Sequence, residues 1–102
     1  MTERAKFRKY VGGLRRLCPP TKPVKVDTRR MPDAARWRDE GKRFRITIAA
    51  GTPYQMKLEC LCHEWAHCLD PSSEECDPHN AVWGVFYARC YRAMNELMHV
   101  LN

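Results

Sequence analysis

Residues 51–69 read GTPYQMKLECLCHEWAHCL, and this stretch decides the fold. Leu58, Leu61, Cys62, Trp65 and Leu69 recur at the spacing of one face of an α-helix. Met56, Cys60, His63 and His67 form a second stripe beside that core-facing one. Thr52 suits an N-cap, Pro53 the first helical position, and Gln55 completes a capping box three residues on. Asp70-Pro71-Ser72-Ser73 stops the helix after about Leu69.

Upstream, Phe7, Tyr10, Val11, Leu14 and Leu17 mark an amphipathic helix over residues 3–17, with Thr2 as its cap. Gly12-Gly13 weakens it by about 1 kcal/mol per glycine relative to alanine, and Cys18-Pro19-Pro20 ends it. Residues 23–29 alternate apolar and polar, as a half-buried strand does, and residues 43–49 alternate more cleanly, with Phe44, Ile46 and Ile48 on one face. Residues 35–38 supply a middle strand, joined to the last by a hairpin turn at Asp39-Glu40-Gly41-Lys42. The expected sheet is small and mainly antiparallel.

Downstream, a loop carries Glu74, Glu75, Cys76 and Asp77. Asp77 as N-cap and Pro78 at the first position open a last helix that runs to about Leu101. Its apolar face is Val82, Val85, Phe86, Cys90, Ala93, Met94, Leu97 and Leu101. The fold class is α+β, a single domain over residues 1–102 with helix, small sheet, helix and long helix in that order.

Charge is uneven. The net charge is +6, and most of the excess lies in residues 1–45, which suggests attraction to a polyanion such as DNA unless it merely solvates the surface. No apolar run has the length of a signal-peptide core or a membrane span, so the chain is expected in a cytoplasm, with no membrane partner. The six cysteines, at 18, 60, 62, 68, 76 and 90, are then expected as reduced thiols, mostly small buried hydrophobes.

His63 and His67 are four residues apart, one helical turn, so both imidazoles can chelate one metal. Glu64 follows the first histidine directly; it reaches a water on such an ion more readily than the ion itself. Zinc held by three protein ligands keeps a fourth position for water and lowers its pKa toward about 7. A carboxylate beside that water can take its proton and pass it to a leaving amine.

The third ligand must come from later in the chain. The residue six after His67 is Ser73, which excludes the metzincin pattern. His79, twelve after His67 and expected in the first turn of the last helix, is the favoured candidate; Glu74, Glu75, Asp77 and Glu96 are the alternatives. A helix N-terminus disfavours protonation of an imidazole, which suits a ligand.

His63-Glu64-x-x-His67 followed by His79-x-x-x-Trp83 resembles the SprT-like zinc metallopeptidases, and residues 83–91, WGVFYARCY, resemble their small phage and prophage members. The likeness covers roughly residues 43–92. It implies a sheet whose last strand flanks the cleft, His63, His67 and His79 on one zinc ion, and Glu64 as the base. Asn80 stands where the family has a small residue.

The expectation is therefore a zinc-dependent metallopeptidase acting on protein or peptide, with an edge strand near residues 43–49 binding substrate in extended form. In a phage-encoded protein the compartment would be the host cytoplasm. Tyr87, Tyr91 and Arg89 are candidates to stabilise an oxyanion, and Trp83 to pack behind the site. The competing reading is a zinc-stabilised nucleic-acid-binding or partner-binding protein without catalysis. A mixed site using Cys60 and Cys68, closed by Cys76 or His79, would leave Glu64 without a role. His99 reads as a surface residue at a helix end.

Overall fold

The computed structural model of the chain describes residues 1–70, 79 and 81–101. Its elements are α1 (Glu3–Leu17), β1 (Val24–Arg29), β2 (Ala35–Asp39), β3 (Phe44–Ala49), α2 (Tyr54–Leu69) and α3 (Ala81–Leu101). This is the α+β order expected from the sequence, with a long C-terminal helix. Among the described residues no helix is long and apolar enough to cross a membrane.

The sheet order is β1-β3-β2. β3 takes the centre because its inward residues, Phe44, Ile46 and Ile48, are almost wholly apolar surface to hide and are buried. β2 pairs with β3 antiparallel, whereas β1 pairs with β3 parallel, so the sheet is mixed rather than mainly antiparallel. The cause is the path of the chain. Residues 30–34 carry it past the end of β3 to the far edge, β2 runs back, and the hairpin returns β3 into the gap in the direction of β1. Residues 43–49 are therefore not an edge strand; β1 and β2 are the edges.

The hairpin closes with Glu40 N–H donating to the Arg43 carbonyl at 2.8 Å. Gly41, φ 90°, occupies the first position of the two-residue loop, where a left-handed backbone is needed. Asp39 accepts from Gly41 N–H at 2.8 Å and from Lys22 Nζ at 2.6 Å, tying the turn to the chain before β1.

α2 lies on the inward face of the sheet, and α3 and α1 pack on the side of α2 away from the sheet. Leu58, Leu61, Cys62, Trp65 and Leu69 are all buried, as their spacing predicted. The start of α2 differs from expectation. Thr52 N–H closes a turn on the Ala49 carbonyl at 3.1 Å, so Thr52 belongs to the exit from β3, and Pro53 is the cap, with no side-chain capping bond. Thr2 does cap α1, accepting from Ala5 N–H at 3.1 Å. In α3, Val82 and Val85 are exposed rather than core, because Trp83, Phe86 and Tyr87 take the packed face of its first turns; Cys90, Ala93, Met94 and Leu97 are buried. The expected caps Asp77 and Pro78 lie outside the described residues.

Gly12 and Gly13 have opposite reasons to be where they are. A Cβ on Gly13 would lie 2.5 and 2.6 Å from the two terminal carbons of Leu97 and 3.1 Å from its Cγ, so Gly13 is what lets α1 approach α3. A Cβ on Gly12 would meet nothing within 4 Å. Gly12→Ala is expected to stabilise the protein by about 0.5–1 kcal/mol through helix propensity. Gly13→Ala is expected to destabilise it by about 1 kcal/mol or more, because overpacking outweighs the same gain. Urea unfolding of the two variants checks this; a stabilised Gly13→Ala would show that the helices are not in close contact there.

Candidate metal centre

α2 sets the orientation of the site. Trp65 is fully buried, and its indole N–H donates to the carbonyl of Cys18, at the C-cap of α1, at 2.9 Å. With Leu58, Leu61 and Trp65 held inward, His63 and His67 project from the adjoining flank. His79 arrives from outside the helices: it sits in a turn before Ala81, not in the first turn of α3 as expected.

The three imidazoles converge. One ring nitrogen from each of His63, His67 and His79 lies within 4.8 Å of the others. Nε2 of His63 and Nε2 of His79 are 3.1 Å apart. Two nitrogens on one tetrahedral ion with bonds of about 2.0–2.1 Å stand about 3.3 Å apart, so the His63–His79 pair is close to the spacing that one ion needs. Three histidines close together could thus hold a metal ion, with His63 half-buried, His67 buried and His79 exposed.

The surroundings favour the neutral form of His63 and His67. Burial, and then the neighbouring His79, hold the His63 imidazole below its ordinary pKa. His67 is pushed down to about 4, first by burial and then by His63 and His79, with Asp70 opposing. A neutral imidazole has the free lone pair that a metal needs. Glu64 is 8% exposed, and burial pushes its carboxyl up to about 7. Its Oε1 is 3.8 Å from His63 Nε2.

Trp83 packs against all three histidines, with ring centroids 4.9 Å from His63, 5.5 Å from His67 and 4.8 Å from His79. Tyr87 stacks on Trp83 at 5.0 Å. A cavity of about 360 Å³ opens beside the histidines, lined by His63, Glu64 and Tyr87 on one side and by Ala34 and Ala35 at the start of β2 on the other. Two contributors were not singled out from the sequence. One is Ala34-Ala35, and the other is Trp37, whose ring centroid is 5.7 Å from that of His67. The inward parity of Trp37 with Ile46 was a usable signal for the second.

The remaining candidates sort clearly. Cys68 is buried, donates its thiol to the Glu64 carbonyl at 3.6 Å and has its pKa pushed up to about 12 by burial. Cys60 borders the cavity, and neither cysteine joins the cluster of donors. Glu96 is exposed and outside it. Tyr91 and Arg89 are exposed and do not line the cavity, and His99 is exposed in the last turn of α3 as expected. Glu74, Glu75, Cys76, Asp77 and Asn80 lie outside the described residues. No protein-family model matches the chain, and no curated protein or solved structure matches it.

The dry setting of Glu64 has a measurable sign. Its folded pKa, about 7, exceeds the ordinary 4.5, so the folded metal-free chain binds the extra proton between those values and loses stability as pH rises through them. His67 acts at the acid end: its folded pKa of about 4 lies below the ordinary 6.5, so stability falls as pH drops through that window. Glu64→Gln is therefore expected to stabilise the metal-free protein at high pH by about 1–3 kcal/mol and to have little effect well below pH 4.5. Urea unfolding with a chelator at both pH values measures it; an equal effect at both would show that Glu64 is not held in a dry site.

Proposed function

We propose that the chain is a zinc-dependent peptidase, and one arrangement carries the reading. Three imidazoles converge beside a buried carboxyl, at the edge of a cavity that borders an edge strand. Three histidines with room for a further ligand are the donor set of catalytic zinc. The resemblance of His63-Glu64-x-x-His67 and His79-x-x-x-Trp83 to SprT-like zinc metallopeptidases supports the same reading.

His63, His67 and His79 would hold the ion. Zinc, when bound, supplies Lewis acidity to a water and to the scissile carbonyl. Glu64 takes the proton from the attacking water on its carboxylate and delivers it to the amide nitrogen as the peptide bond breaks. A carboxyl with a pKa near neutrality can serve in both directions. Tyr87, kept protonated because burial raises its pKa, presents a phenol to the cavity and is the donor best placed to meet a developing oxyanion.

β2 is the rail for an extended substrate. Ala49 N–H donates to the Ala34 carbonyl and Glu40 N–H to the Arg43 carbonyl, so alternation makes Arg36 and Arg38 the residues bonded to β3. The backbone groups of Ala35 and Trp37 then point to the free edge, where a substrate strand can add.

Purified wild-type protein is expected to carry about one tightly held zinc per chain, kept in Glu64→Gln and lost or weakened in His79→Ala. Glu64→Gln is expected to lower cleavage of an unfolded protein substrate by about 10²–10⁴-fold. A folded protein that holds no zinc and takes none up, or undiminished cleavage by Glu64→Gln, would sink the proposal.

A substitution in β2 tests the substrate rail separately. Ala35→Pro removes one free edge donor without touching the ladder to β3, and is expected to slow cleavage about 3- to 10-fold with zinc content unchanged. Unaltered cleavage would mean that substrate does not pair with β2.

A further inference from the structure

The sheet has a second face, turned away from α2. Parity places Lys25, Asp27 and Arg29 of β1, Arg45 and Thr47 of β3, and Arg36 and Arg38 of β2 on that outward side. The register sets Arg45 directly opposite Lys25 on one ladder and directly opposite Arg38 on the other. Like charges in directly opposed positions destabilise a sheet, so this arrangement carries a cost that the fold alone does not require.

Part of the charge is compensated within the molecule. Arg45 is ion-paired to Asp27 and, at 2.9 Å, to Glu40. Arg36 pairs with Asp33 at 2.8 Å, and Arg29 lies 3.7 Å from Asp27. Among the described residues, Lys25, Arg30 and Arg38 have no carboxylate partner, and all three are exposed. Arg29, Arg30, Arg36, Arg38 and Arg45 come together around a cleft of about 240 Å³ that Met31 and Thr47 also line.

We infer that this face is a docking surface for the phosphate backbone of a nucleic-acid duplex. Guanidinium groups bind phosphate through two parallel N–H donors, and they stay charged at any physiological pH. Along β2 the two outward arginines are about 6.7 Å apart, twice the rise per residue, so the cations form a row rather than a single point. The face is spread over three strands, which suits a polymer of phosphates better than one small anion. It also lacks any aromatic side chain. Trp37 and Phe44 turn inward, with ring centroids 5.5 Å apart, so unpaired bases would find no platform on which to stack. Among the described residues no helix or ribbon projects from it to enter a groove, so the contacts are to backbone and independent of sequence.

The surface lies across the sheet from His63, His67 and His79, so this inference does not depend on the peptidase reading. α1 is also basic and supplies the internal control. Arg8 and Arg16 are exposed on α1 and do not border the cleft.

The test is fluorescence anisotropy with a short random-sequence DNA duplex across about 50–200 mM salt. Arg36→Gln/Arg38→Gln is compared with Arg8→Gln/Arg16→Gln, which removes the same charge elsewhere, after circular dichroism has shown both to be folded. The β2 pair is expected to lose about 10-fold or more in affinity and to flatten the log–log salt slope by roughly two, about 0.9 per lost phosphate contact. The α1 pair is expected to stay within about 2-fold of wild type at the higher salt. Equal losses in both pairs would reduce the effect to net charge and overturn the inference. So would the absence of wild-type binding at the lowest salt, or tighter binding of a single strand than of the duplex.

Discussion

The rotation of α2 about its own axis is the constraint on which the rest depends, and Trp65 fixes it. A fully buried indole can lie in only one direction, and its N–H must find an acceptor; the Cys18 carbonyl at the end of α1 supplies one at 2.9 Å. Successive residues of a helix are set about 100° apart. Once Trp65 points at the core, His63 and His67 must leave from the same flank, and Glu64, immediately before Trp65, is drawn into the buried side. The chemistry of the pocket is thus a by-product of packing. A small rotation that exposed Trp65 would part the histidines from His79 and wet the carboxyl.

That geometry gathers metal-binding groups in one place. Two imidazole nitrogens face one another at 3.1 Å, and a carboxyl sits nearby in a setting that opposes its ionisation. A cation at the centre of the donors would accept the lone pairs and favour the anionic form of Glu64. Metal affinity in such a site is therefore also conformational stability. Trp83, in contact with all three rings, holds the donors from behind, so that they do not need an ion to define their positions.

The sequence made α2 legible because two requirements coincide in it. The spacing of Leu58, Leu61, Trp65 and Leu69 gives the helix and its inward face, and that face dictates where His63 and His67 point. His79 could be chosen from several candidates because few residues after α2 carry a nitrogen ligand, yet its place outside α3 was not visible. Reading Asp77-Pro78 as the cap started the last helix before His79, whereas α3 begins at Ala81. The parallel pairing of β1 was hidden for a different reason. Alternation reveals which face of a strand is buried, but not which neighbour it joins, and the crossing of residues 30–34 past β3 is a matter of topology. The apolar quality of Phe44, Ile46 and Ile48 did hold the answer to which strand is central. Val82 and Val85 are apolar but face away from the packed side that Trp83, Phe86 and Tyr87 occupy, so counting apolar residues overstated the core.

β2 shows how much a short strand can be asked to do. Its side chains alternate, so Trp37 supports His67 from the inward face while Arg36 and Arg38 stand on the outward one. Its backbone alternates as well: Arg36 and Arg38 spend their N–H and C=O groups on β3, and Ala35 and Trp37 keep theirs for the open edge. None of the three surfaces of this strand can be shifted alone, since a slip of one residue would exchange inward for outward at every position. The hairpin at Gly41, held by Lys22 and Asp39, fixes that register. The metal centre and the cationic face are thereby locked to one another through five residues, although they lie on opposite sides of the sheet.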